Sequence, residues 1–130
     1  EGLFEGPLNL QRMLDTINHR IEILLDRDHR IGHAYFMGIA TAEDPLEALK
    51  TTFQKNIIPL LQEYFYGDYA KIGAVLGEAF VGKEAGRINK ETFAKGSWEI
   101  DAADYRPVFR LKDVSLFTDT TPFIDIYAAR

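Results

Sequence analysis

Seven apolar residues, Leu10, Met13, Leu14, Ile17, Ile21, Leu24 and Leu25, recur at steps of three and four. That spacing predicts one apolar face on a helix running from about Leu8 to Leu25. Such a face has to be buried, so the rest of the chain must supply the layer that covers it. Gly6-Pro7 and Asn9 stand at the start, where proline and a capping side chain are tolerated. Asp26-Arg27-Asp28-His29-Arg30 breaks the pattern with five polar residues, and Gly32 follows. A loop or a helix end belongs there. His33 to Ile39 is apolar and short, and periodicity leaves it open between a strand and a new helix.

Asp44-Pro45-Leu46-Glu47 is the clearest local signal. Asp44 is placed to cap, Pro45 suits the first helical position, and Glu47 stands three residues after the cap. This helix should carry Leu46, Leu49, Phe53 and Ile57 inward. Pro59 lacks a backbone donor and disfavours helical geometry at Ile58, so a kink or break is expected there. Leu60, Leu61, Tyr64 and Phe65 continue as a turn or two. Gly67-Asp68 ends that piece and caps the next, in which Tyr69, Ile72, Val75 and Leu76 form a short helix stopped near Gly77.

Past Gly77 the character changes. Gly77, Gly82, Gly86 and Gly96 cluster, and Asn89 to Phe93 has room for one short helical turn. Trp98-Glu99-Ile100, Val108-Phe109-Arg110-Leu111 and Phe123-Ile124-Asp125-Ile126-Tyr127 are aromatic or β-branched and read as short antiparallel strands. The residues therefore predict a mainly α chain of the α+β type. Residues 1–80 form a helical part; residues 81–130 form a glycine-rich connector with short strands packed on the helices.

Composition closes off several classes. At 130 residues the chain suits one domain, or one and a fragment, and buries roughly two thirds of its unfolded surface. No apolar run reaches the roughly 18 residues of a membrane span. The acidic start, Glu1-Gly2-Leu3-Phe4-Glu5, lacks the charge pattern of a signal peptide. Zero cysteines exclude a disulfide scaffold, a thiolate zinc site and a cysteine nucleophile, and fit a reducing cytoplasm. A formal net charge of -5 argues against nucleic-acid binding by bulk charge.

Four motifs invite a functional reading. Gly77, Gly82 and Lys83 have the spacing of a phosphate-binding loop, but Glu84 stands where a hydroxyl must meet magnesium. The segment before them reads as a helix, whereas a phosphate loop follows a strand. His29 and His33 are four apart, as on a zinc-binding helix, with Asp26 and Asp28 as further oxygen ligands. The glutamate base of a metalloprotease is missing and Gly32 weakens the helix, so a polar loop is the plainer reading. Ser97 and Ser115 are the only serines and neither sits in a nucleophile elbow. Tyr64-Phe65-Tyr66-Gly67-Asp68-Tyr69 offers aromatics for base stacking, although core and junction packing suits its acidic, apolar surroundings better.

The block from Met13 to Phe36, above all Ile31-Gly32-His33 followed by Tyr35-Phe36, resembles the C-terminal region of McrB-type AAA+ NTPases. These are the motor subunits of modified-cytosine restriction systems. The block from Phe53 to Ile72 resembles the same family, in the same order, so the likeness covers roughly residues 10 to 77. One departure is Ala34, where many relatives have serine.

The resemblance implies a helical AAA+ lid-like bundle with a small C-terminal antiparallel β element. It implies a fragment of a longer protein whose α/β core carries the phosphate loop, the Walker B acid and the arginine finger. The fragment alone would be non-catalytic and hold no cofactor. Magnesium and GTP or ATP would belong to the parent. Implied partners are neighbouring subunits of a homo-oligomeric ring, an endonuclease subunit, and DNA through other domains, in the cytoplasm and with no membrane. Arg27 and Arg30, cations beside Gly32 with His33 as a further donor, are the candidate phosphate contacts. Arg30 ranks first because it abuts Ile31-Gly32-His33. The alternatives are a non-enzymatic helical interaction module and a metal-dependent hydrolase using Asp26, Asp28, His29 and His33.

Overall fold

The computed structural model describes residues 8–84 and 90–128. It is mainly helical with a small two-stranded antiparallel sheet. Helix α1 spans Leu10–Leu24, capped by Asn9, whose Oδ1 accepts a hydrogen bond from the Arg12 backbone N–H at 3.0 Å. Met13, Leu14, Ile17 and Ile21 are buried, as their spacing predicts. Leu24 and Leu25 are not, against the expectation of one continuous face. Leu25 already has non-helical backbone angles, and the apolar stripe outruns the surface that covers it.

Helix α2 (Pro45–Thr52) begins as expected, with Asp44 Oδ1 accepting from the Glu47 N–H at 3.2 Å. The Glu47 carboxylate does not return to the cap; it pairs with Lys50 at 2.9 Å. The kink or break expected at Pro59 takes the form of an interruption of the α-helical pattern just before it, without a break in the helix. A π-helical turn, Phe53–Ile57, carries α2 into α3 (Ile58–Tyr64), with the Ile58 N–H reaching back to the Phe53 carbonyl. Pro59 then lies in the first turn of α3, where its missing donor costs little. Asp68 caps α4 (Tyr69–Leu76), which stops at Gly77 in the left-handed region that favours glycine.

The second half departs further from expectation. Strand β1 (Val81–Lys83), read from sequence as connector, pairs with β2 (Phe109–Leu111), Val81 opposite Leu111 and Lys83 opposite Phe109. Three residues are too few for alternation to show. Trp98-Glu99-Ile100 is not a strand, and Trp98 is 59 % exposed. Phe123 to Tyr127 is helical, within α5 (Thr121–Tyr127). Phe123, Ile126 and Tyr127 bury at helical spacing, and Pro122 in the first turn is the local signal for this start. A 3-10 turn covers Lys90–Thr92, whereas Gly6, Pro7, Gly86 and Asn89 lie outside the described residues.

Helices α4 and α5 both pack on α1. The core centres on phenylalanines from both halves of the chain. Phe53 meets Phe36, Phe80 and Phe123 at ring separations of 6.0, 5.5 and 5.0 Å. Phe117 closes on Phe80 and Phe123 at 5.2 and 5.6 Å. Aromatic pairs at these separations, three of them edge-to-face, add to the burial of their area. The Asn9 N–H donates to the Tyr127 hydroxyl at 2.8 Å, so the two ends of the described chain meet.

Candidate functional site

The polar face of α1 sets one wall of the site. Asp15, Asn18, His19 and Glu22 stand at helical spacing and line an open pocket of about 410 Å³ with Arg30, Ile31 and Gly32. The loop that supplies the other wall is held at three points. Asp26 caps a 3-10 turn, Arg27–His29: its Oδ1 accepts from the His29 N–H at 3.0 Å and lies 2.7 Å from His29 Nδ1. The His29 ring meets Tyr64 of α3 edge-on, 4.9 Å between centroids. Ile31 is buried, and Asn18 grips its backbone at both polar atoms. Asn18 Nδ2 donates to the Ile31 carbonyl at 2.8 Å, and the Ile31 N–H donates to Asn18 Oδ1 at 2.6 Å.

The electrostatics are mixed. The hydrogen bond from His29 holds the Asp26 carboxyl below the usual carboxylate range. Burial raises the Tyr64 phenol above its ordinary value, with help from the nearby Tyr35. Arg30 donates through Nε to the Arg27 carbonyl at 2.9 Å. Its terminal nitrogens have no partner among the described residues. Among the described residues neither Arg27 nor Arg30 makes an ion pair with Asp26 or Asp28; Asp26 is taken by His29. The pocket thus joins one free guanidinium to two carboxylates, Asp15 and Glu22, and Asp15 also accepts from Gln11 at 2.8 Å.

Of the four residues singled out from sequence, the structure brings Arg30 and Gly32 to the pocket wall. Arg27 and His33 are exposed beside it and do not line it. Gly32 has ordinary extended angles, and a Cβ there would meet nothing within 4 Å. His33 opens a short 3-10 helix, His33–Phe36, so of strand and helix the segment takes one helical turn and goes no further. Asn18, Asp15, His19 and Glu22 went unremarked in the sequence. The available signal was Asn18 itself, an amide in mid-helix, where such a side chain tends to find a backbone partner.

The other motifs resolve differently. Gly77 to Lys83 runs from helix end through turn to strand, the reverse of the strand, loop and helix of a phosphate loop. No three His, Asp or Glu side chains are grouped to hold a metal ion among the described residues. In the aromatic run, Phe65 is buried, Tyr64 and Tyr69 are half-buried, and Tyr66 is 95 % exposed with a left-handed backbone.

A family model described as McrB, alpha-helical lid domain, matches residues 9–73. The match takes in α1, α2, α3, the whole of the Asp26–Gly32 loop and the first turn of α4. No curated protein matches the chain.

Proposed function

The chain belongs to the McrB alpha-helical lid family, and from that premise we propose that it closes over the nucleotide of an AAA+ NTPase and turns Arg30 toward the phosphates. Hydrolysis in such a protein transfers a phosphoryl group to water, and catalysis there is mostly positioning and charge. A guanidinium held in place stabilises the charge that builds on the phosphate oxygens in the transition state. The observation that carries this reading is the free fork of Arg30 on a loop pinned to α1 by Asn18. The fork is suited to two parallel bonds to phosphate and stays charged at any working pH. Arg27 and His33 are secondary contacts that a closing motion would bring nearer.

The α/β core of the parent would hold magnesium with GTP or ATP, and DNA restriction is the task we assign to the assembly. No helix among the described residues is long and apolar enough to cross a membrane. The exposed Ile23, Leu24 and Leu25 at the end of α1 support contact with another polypeptide, which in a ring is the neighbouring subunit.

Turnover and stability measurements test the proposal. The isolated chain is expected to release no phosphate from ATP or GTP; turnover lost in Lys83→Ala would overturn the lid reading. In the AAA+ protein that carries this lid, Arg30→Ala should lower turnover about tenfold or more, at least about 1.4 kcal/mol of transition-state stabilisation. Its thermal midpoint should stay within about a few degrees, as for any exposed residue. Gly32→Ala should also slow turnover without destabilising the fold, because its methyl would enter only the open side of the loop. Unchanged turnover in both Arg30→Ala and His33→Ala would remove the site and leave the family standing.

A further inference from the structure

The loop from Phe93 to Tyr105 lies outside the lid match and builds a cup of its own. Phe93 and Tyr105 pack against each other, ring centroids 5.7 Å apart and planes inclined at 43°, and together form one side of it. Trp98 forms another. Its Nε1–H donates to the Ala94 carbonyl at 2.7 Å, and its ring lies on Gly96, where a Cβ would come within 2.5 Å of Cζ2. A 3-10 turn, Ala102–Asp104, leads into Tyr105 and is held by paired bonds between Asp101 and Asp104. The pocket is about 390 Å³ and is lined by the three rings, Glu99, Ile100 and small residues. No cation lines it. From Phe93 to Tyr105 the charges are Glu99, Asp101 and Asp104 against Lys95 alone.

We propose that this cup binds a methylated ammonium group. Three aromatic rings line this one pocket beside the Glu99 carboxylate, and ring faces attract a cation through their quadrupoles. A quaternary ammonium has no hydrogen to donate, so rings and a nearby carboxylate satisfy it where directed acceptors are not needed. Excess negative charge rules against phosphate or carboxylate ligands at this place.

Trp98 is the chain's single tryptophan, so its fluorescence reads this cup alone. Choline is expected to give a saturable change, and its neutral isostere 3,3-dimethyl-1-butanol should bind about tenfold more weakly. Tyr105→Ala and Glu99→Gln should each weaken choline binding several-fold with an unaltered far-ultraviolet circular dichroism spectrum. A trimethyllysine amide run in parallel separates a free ligand from a modified side chain, and tighter binding of either supports the cup. Equal binding of choline and the isostere, no saturable change with either ammonium, or tighter binding of cytidine than of choline would overturn it.

Discussion

Asn18 and Ile31 hold each other by two hydrogen bonds, one in each direction, across the 13 residues that separate them. The amide side chain acts as a short piece of strand edge. It satisfies the donor and the acceptor of a buried residue that no regular element serves. Arg30 and Gly32 flank Ile31, so this clamp fixes where the candidate phosphate contacts stand.

Asn18→Ala should therefore act on stability and site together. Both backbone groups of Ile31 lose a partner, at a cost of about 1–3 kcal/mol. Urea unfolding measures the stability loss. In the AAA+ protein, turnover should fall by more than that loss explains, because Arg30 is no longer positioned. An Asn18→Ala protein as stable as the parent would show that water replaces the clamp.

Lys50 is 6 % exposed and donates from Nζ to the Phe117 carbonyl at 2.8 Å, joining α2 to the segment before α5. Lys50→Met keeps the stem and removes the donor, leaving that carbonyl unpaired at about 1–3 kcal/mol. Glu47 is the exposed member of the ion pair. Glu47→Gln should cost under about 1 kcal/mol. Thermal or urea denaturation of the two variants side by side decides the matter; equal losses would mean the pair, not the carbonyl, matters.

Phe123 and Trp98 look alike in the sequence and differ in place. Phe123→Ala opens the aromatic core and should cost about 3–5 kcal/mol. Trp98→Ala should shift stability by no more than about 0.5 kcal/mol, since its ring is largely exposed. Loss of α5 by truncation should unfold α1 as well, which amide exchange in α1 would report.

Asp26 supplies the pH dependence of the loop. Its folded pKa is depressed, first by the hydrogen bond from His29, below the ordinary 3.8. A depressed carboxyl contributes stability that is present above its unfolded pKa. That contribution is lost as pH falls from about 3.8 through the depressed folded value. Asn at position 26 still caps but does not titrate, so Asp26→Asn should flatten this part of the acid limb. Stability curves of the two proteins between pH 5 and pH 2 provide the check, and identical acid limbs would rule Asp26 out.

Much of the first half was legible because its signals are local. Asn9, Asp44 and Asp68 cap within three residues, Pro45 opens α2, and Gly77 closes α4. Helical periodicity of Met13, Leu14, Ile17 and Ile21 needs only a neighbouring surface to confirm it. Arg30 and Gly32 stand out in the sequence only through a resemblance, and the structure sets them against the polar stripe of α1. Tertiary structure alone decided what depends on distant partners. Phe123-Ile124-Asp125-Ile126-Tyr127 fits both a period of two and a helical turn, and burial of Phe123 against Phe53 and Phe80 selects the helix. Val81-Gly82-Lys83 is a strand because Phe109-Arg110-Leu111 lies beside it, not through its own composition. Asn18 became a clamp, and Lys50 a buried donor, only when Ile31 and Phe117 arrived from 13 and 67 residues away. A polar side chain carries no mark in sequence of the backbone group it will satisfy, because that partner exists only once the chain has folded.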